Sequence, residues 1–165
     1  MSYINNQILV TSLNISSSDL KKDIDKLILF KLKEKYEGIC TENGFIMEDS
    51  INLINRNLGK INTINNNSFV NYVVRYSANI INLNDGDNLD IIVDRVNKMG
   101  VLGYITTKKN DFESSPIIIM VPNECFNEST RDINSITKNQ KMTVIIIGCR
   151  LKYGHKKIQI VAKPK

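Results

Sequence analysis

The sequence predicts an α+β chain in two parts: a small sheet with one helix, followed by an all-β barrel. Three observations predict it. One amphipathic helical stretch lies near the start, β-rich texture follows it, and five short strand-like runs separated by turn signals fill the second half. The 165 residues include 22 Lys plus Arg and 17 Asp plus Glu, a net charge of +5 with the lone His155 neutral. That length allows one medium domain or two small ones. A hydrophobic share of 42% excludes a disordered chain, a collagen-like rod and a disulfide scaffold.

The first part opens with a strand from about Tyr3 to Leu13. Ser16 with Asp19 three residues on has the spacing of a capping box, which satisfies the free amides of a helix start. Leu20, Ile24, Leu27, Ile28, Leu32 and Tyr36 then recur at helical spacing and form one apolar stripe on a helix from about Ser18 to Tyr36. Lys21, Lys22, Lys26, Lys31, Lys33 and Lys35 fall mostly off that stripe, on a solvated face. Gly38 ends the helix by permitting a left-handed backbone. Ile39-Cys40, Gly44 to Met47, Ile51 to Ile54 and Ser68 to Ile80 read as strands, with Asn52, Asn55, Asn57 and Gly59 breaking them into turns. Ile and Asn dominate the composition, and stretches such as Asn65-Asn66-Asn67 read as the codon bias of an AT-rich genome rather than a prion-like segment.

The polar stretch from Asn82 to Asp87 marks the boundary between the parts. Beyond it the strands are Asn88 to Val96, Val101 to Thr106, Ile117 to Val121, Met142 to Leu151 and Lys157 to Lys163. Five short strands with a long polar connection between the third and fourth, Pro122 to Gln140, form the pattern of a five-stranded OB-type Greek-key barrel. The fourth strand is apolar on both faces through Val144-Ile145-Ile146-Ile147, which predicts a central position.

Chemistry-bearing motifs are scarce. The sequence has no phosphate-binding glycine loop, no zinc-protease motif, no nucleophile elbow and no dinucleotide fingerprint, so no enzyme is expected. Asp85-Gly86-Asp87 with Asp90 starts like a calcium loop, but its twelfth position is Val96 rather than Glu, and these acids read as turn formers. Asp111 and Glu113 sit beside Lys108 and Lys109 with no histidine near in sequence. Cys40, Cys125 and Cys149 lack metal or redox spacing and read as reduced thiols of an intracellular protein, with Cys149 buried in the fourth barrel strand. No cofactor and no metal are expected. The apolar run Val144 to Ile147 is far shorter than a membrane span of roughly 20 residues, and Met1 to Val10 lacks the texture of a secretory signal.

One charged feature stands out. Arg150, Lys152, His155, Lys156, Lys157, Lys163 and Lys165 gather at the basic end, against few acids after Asp132, and such a cluster attracts phosphates. An ordinary solvated hairpin between the fourth and fifth strands, turning at Gly154, is the plain alternative.

Three collinear stretches resemble the stalk subunit of multisubunit DNA-directed RNA polymerases, the seventh-subunit type of polymerase II with archaeal and large-DNA-virus counterparts. The first is Glu37-Gly38-Ile39-Cys40-Thr41 with Gly44-Phe45-Ile46. The second runs from Ser68-Phe69-Val70-Asn71-Tyr72 through Val74-Arg75-Tyr76 and Asp85-Gly86-Asp87 to Val93-Asp94-Arg95-Val96-Asn97-Lys98-Met99-Gly100-Val101. The third is Val144-Ile145-Ile146-Ile147-Gly148-Cys149-Arg150. The resemblance implies an N-terminal tip domain over 1–81 docking on the polymerase core, and an OB-fold barrel over 82–165 facing RNA. It implies a core contact at Asn57, Leu58, Gly59, Lys60 and Ile61, where the family carries a glycine-containing loop. Short length and biased composition resemble viral versions.

The expected function is thus a non-catalytic polymerase stalk subunit, with a free-standing RNA-binding OB protein as the alternative. Its expected partners are the largest and the small core subunits of the polymerase, nascent RNA held weakly and without sequence preference, and a second stalk subunit of the kind that cellular members have; no membrane is expected. The expected RNA contacts are Lys98, Tyr104, Arg150, Lys152, His155, Lys156 and Lys157. Aromatics on the expected RNA face are few, Met99 and Leu102 standing where rings would stack, so sequence reading is not expected. The expected location is cytoplasm and virion for a viral chain, nucleus for a cellular one.

Overall fold

A computed structural model describes residues 3–20, 23–106, 111–127 and 132–165. In chain order the elements are β1 (Ile4–Ser16), α1 (Ile24–Tyr36), β2 (Cys40–Thr41), β3 (Gly44–Ile46), β4 (Asn52–Arg56), β5 (Lys60–Ile64), β6 (Asn67–Ile81), β7 (Asn88–Asn97), β8 (Gly100–Tyr104), β9 (Ile117–Pro122), α2 (Glu124–Asn127), β10 (Lys141–Arg150) and β11 (Ile158–Pro164). They fall into two compact units. One is Ile4–Gly38 with Ile46–Ile81; the other takes Tyr3, Ile39–Phe45 and the described residues of Asn82–Lys165.

In the first unit, β1 runs antiparallel to β6 from Ile4 opposite Ile81 to Ser16 opposite Phe69, without a bulge. Side chains alternate between faces along a strand, so Leu13, Ile15, Val70, Tyr72, Val74, Tyr76, Ala78 and Ile80 share the inner face and are buried. Helix α1 covers them with Ile28, Leu32 and Tyr36. Tyr36 stacks on Tyr76 with ring centroids 6.0 Å apart, and its hydroxyl shares a 2.8 Å hydrogen bond with Thr11 Oγ1. Leu32→Ala is expected to cost about 2–5 kcal/mol, as deletion of a fully buried side chain does, read as a lower urea midpoint.

The helix starts later than the stripe predicts. Ser17–Asp19 form a separate 3-10 turn, and Leu20 after it is extended (ψ 112°), so the two turns cannot join. Ser16 makes no capping bond. Asp23 caps α1 instead, its Oδ1 accepting from the Lys26 N–H at 3.2 Å. That amide, with the Lys26 side chain, holds the Asp23 carboxyl below its ordinary range. The cap's contribution is therefore present above the unfolded carboxylate pKa and lost as pH falls through the lowered one. Gly38 exits the helix at φ +72°, as expected, and its N–H donates to Ile46 O at 2.9 Å.

The other side of β6 pairs with β4 and with β5, a strand where the sequence reading placed only a loop. Asn65 and Asn66 join β5 to β6 with φ of +49° and +62°. Two consecutive positive φ values mark a type I′ hairpin turn, where Asn is favoured. The asparagine run therefore has a conformational role beyond codon bias.

In the second unit, strands close in the order β7-β8-β9-β11-β10 and back to β7. Neighbours are antiparallel except β9 with β11, which are parallel. This is an OB-like closed barrel, filled by alternating residues such as Leu89, Ile91, Val93, Val101, Ile119, Val144 and Ile160. Strand β10 is paired on both sides as expected, yet a barrel covers one face only, and Ile147 is exposed. The third-to-fourth connection contains α2, whose Phe126 is buried. The hairpin of β2 with Gly44 and Phe45 of β3 belongs to this unit too. No helix among the described residues is long and apolar enough to cross a membrane.

Candidate docking loop and basic hairpin

Two places collect the expected site residues, one in each unit. The first is the loop between β4 and β5. Asn57 fastens it to β6 twice: its N–H donates to Val73 O at 3.1 Å, and its Oδ1 accepts from the Val73 N–H at 3.1 Å. The same Oδ1 accepts from the Gly59 N–H at 3.1 Å, which folds the loop back on itself. Gly59 has φ +85°, and a Cβ there would lie 2.6 Å from Val70 Cγ1 and 2.7 Å from Tyr72 Cε1. Only glycine allows the backbone to lie so flat on the two side chains. Arg56 braces the entry. Its Nε donates to Asp25 Oδ1 at 2.6 Å, its Nη1 donates to Asn57 O at 3.1 Å, and its guanidinium lies 5.3 Å from the Tyr72 ring centre.

This anchored backbone holds apolar side chains out in solvent. Leu58 is 96% exposed and Ile61 76% exposed, with Lys60 between them also exposed. Burying such side chains against a partner is worth roughly 1.5–3 kcal/mol each, and the fixed backbone reduces the ordering entropy lost on docking. Asn57→Ala removes the acceptor for two amides and is expected to cost about 1–2 kcal/mol, read as a lower melting temperature.

The second place is the hairpin linking β10 and β11. Cys40 pins it: the Cys40 N–H donates to His155 O at 2.7 Å, and the Gly154 N–H donates to Cys40 O at 2.9 Å. Arg150, Lys152, His155 and Lys156 are exposed. Among the described residues Arg150, Lys152 and Lys156 have no ion-pair partner. Arg150 also borders a cleft of about 510 Å³ on the outer face of the barrel, with Ile118, Met120, Cys149, Gln159 and Val161.

Lys157 is tied down differently. Its Nζ donates to Phe112 O at 2.8 Å and lies 5.2 Å from the Phe112 ring centre, while Arg95 approaches the same ring at 5.7 Å. Arg95 and Phe112 thus join the basic hairpin, although the sequence reading singled out neither. The signal available was an aromatic within the charged stretch from Lys108 to Glu113. Asp111 of that stretch caps a turn by accepting from the Ser114 N–H at 2.6 Å. Lys108 and Lys109 lie outside the described residues.

Two expected RNA contacts do not join the cluster. Tyr104 departs from the expectation: it lies on the outer face of the barrel opposite Ile118 but is only 6% exposed, with its ring edge-on to Phe112 at 6.1 Å, so it offers no open stacking platform. Lys98 is exposed in the β7–β8 turn, which packs by Gly100 against Pro122 at the far end of β9. The basic hairpin leads into Ile158, opposite Ile117 at the near end of β9. At about 3.3 Å per residue the two ends stand about 16 Å apart along the strand, so Lys98 stands apart from the basic hairpin.

Burial, then the nearby Cys149, pushes the Cys40 thiol up, against a lowering contribution from the Lys152 backbone N–H; burial, then Asp85, pushes Cys149 up. Cys40, Cys125 and Cys149 are free thiols; Cys40 is buried, whereas Cys149, expected to be buried in its strand, is only half-buried on the outer side of the barrel. Thiols with raised folded pKa stabilise the fold fully below the ordinary value of 9.0 and lose that contribution as pH climbs through the raised one. Iodoacetamide at neutral pH is therefore expected to label buried Cys40 far more slowly in the native chain than in the urea-unfolded chain, by mass spectrometry. Among the described residues no group of three His, Cys, Asp or Glu side chains converges as metal ligands do. Asp87 closes its turn instead, its Oδ2 accepting from the Asn84 N–H at 3.0 Å.

No known family model matches the chain, and no curated protein matches it in sequence.

Proposed function

We propose that this chain is a non-catalytic stalk subunit of a DNA-directed RNA polymerase. Its helix-and-sheet unit is the tip that docks on the core through the largest and a small core subunit, and its OB-like barrel guides nascent RNA. The observation that carries the reading is the anchored apolar loop at 57–61. The polymerase resemblance puts the core contact at those positions, and there Asn57 and Gly59 hold Leu58 and Ile61 in solvent. The order of a helix-covered sheet and then a barrel agrees with the same resemblance. Retention of the two largest polymerase subunits on the tagged chain tests the reading.

The barrel's role is electrostatic. Arg150, Lys152 and Lys156 are exposed and attract phosphate without reading bases. Replacing all three by Ala is expected to reduce the slope of log affinity against log salt by about 2 for single-stranded RNA, at roughly 0.7 per phosphate contact. Fluorescence anisotropy across a salt series measures it. The same cations favour the second reading, a free-standing RNA-binding protein. Tight RNA binding by the chain with no polymerase retention would establish that alternative.

A further inference from the structure

Among the described strands, β1 leaves a long sheet edge unguarded. Among the described strands β1 pairs with β6 alone, so it ends its sheet. From Asn5 to Ser16 the strand has no charged residue, no proline and no glycine, and its pairing with β6 has no bulge. Natural edge strands are usually short, charged, bulged or covered, because bare N–H and C=O groups recruit another strand. On the outward face Ile8 is 55% exposed and Val10 65% exposed.

We propose that β1 is a homodimer interface, two copies pairing their β1 strands antiparallel about a two-fold axis at Leu9. The register follows from self-complementarity. Side chains alternate in direction, so opposed residues must share a face. Centring on Leu9 sets Ile8 against Val10 of the second copy, Gln7 against Thr11, Asn6 against Ser12, and Leu9 against itself. Apolar residues then meet apolar ones, and polar meet polar. Centring on Val10 would instead set Ile8 against Ser12 and Leu9 against Thr11. No like charges oppose each other in the paired strands, since β1 carries none. Pairing over Asn5 to Leu13 adds about nine backbone hydrogen bonds. The inference is independent of the polymerase reading.

Sedimentation velocity of the full chain over a wide concentration range tests it. The expected result is a monomer–dimer equilibrium that Val10→Lys shifts to monomer at every concentration, while Ile147→Lys, on the exposed side of β10, leaves it unchanged. Circular dichroism confirms that the variants fold. Leu9→Cys is expected to form a covalent dimer under mild oxidation, which the wild-type chain does not. A wild-type chain that stays monomeric throughout, or a dimer that Val10→Lys leaves intact, would overturn the proposal. So would a folded Leu9→Cys chain that does not crosslink, or a strand of a different polypeptide found on β1 while the chain alone is monomeric.

Discussion

Gly100→Ala is expected to unfold the barrel at moderate urea. Gly100 has φ +139°, and a Cβ there would lie 2.1 Å from Val121 O, 3.0 Å from Asn123 N and 3.0 Å from the Pro122 carbonyl carbon. All three are backbone atoms of β9 and its exit, so no flexible side chain can swing away. The strained φ costs about 1–3 kcal/mol and the forced shift of β8 from β9 about 1–3 kcal/mol more. A loss of about 3–5 kcal/mol is a large share of a typical total of roughly 5–15 kcal/mol. Gly86→Ala is the control: its φ is +88°, but a Cβ there meets nothing within 4 Å. Only the backbone cost of about 1 kcal/mol applies there. Equal urea midpoints for the two variants would contradict the tight approach of β8 to β9.

Leu58→Asp with Ile61→Asp is expected to leave the melting temperature within a degree or two and to abolish retention of the polymerase. Both side chains are exposed, so neither contributes to the core of this unit. At a docked surface a buried apolar anchor is worth about 2 kcal/mol or more, and a desolvated unpaired carboxylate costs further. Affinity should fall by at least about 30-fold at RT ≈ 0.6 kcal/mol. Gly59→Ala would damage the same loop by another route, pushing the backbone off Val70 and Tyr72, and would lower stability as well. The pair of experiments separates contact from scaffold: the aspartates remove the contact and keep the fold, whereas the alanine disturbs both.

Much of the fold was legible because its strands are punctuated. In β6, buried Val70, Tyr72, Val74 and Tyr76 alternate with less buried neighbours, a period that shows in the sequence. The barrel strands are bounded by Gly, Asn and Pro, and their order follows once the long third-to-fourth connection is recognised. Strand β5 was not legible, because Lys60-Ile61-Asn62-Thr63-Ile64 has no alternation and its two isoleucines are exposed. In a chain rich in asparagine, Asn65-Asn66 carries little local information, although its turn requires two positive φ values. The helix start was misplaced because Ser16 and Asp19 have cap spacing, but Leu20 leaves the helical region before a second turn can form.

The sites divide in the same way. The loop at 57–61 is a candidate through resemblance alone, and its need for glycine is understood only once Val70 and Tyr72 are seen beneath it. Along β8, Val101, Leu102 and Tyr104 are apolar on both faces, so sequence alone could not tell that Tyr104, on the outer face with Leu102, is covered there. Phe112 meets Arg95 and Lys157 across long sequence separations, which no local pattern reports.

The most direct test of the polymerase reading is affinity purification of the tagged full chain from lysate of its native source, at moderate salt, followed by mass spectrometry. The account predicts that the two largest RNA polymerase subunits are retained by the wild-type chain and lost from Leu58→Asp with Ile61→Asp. Recovery of RNA or ribosomal proteins without polymerase would contradict it.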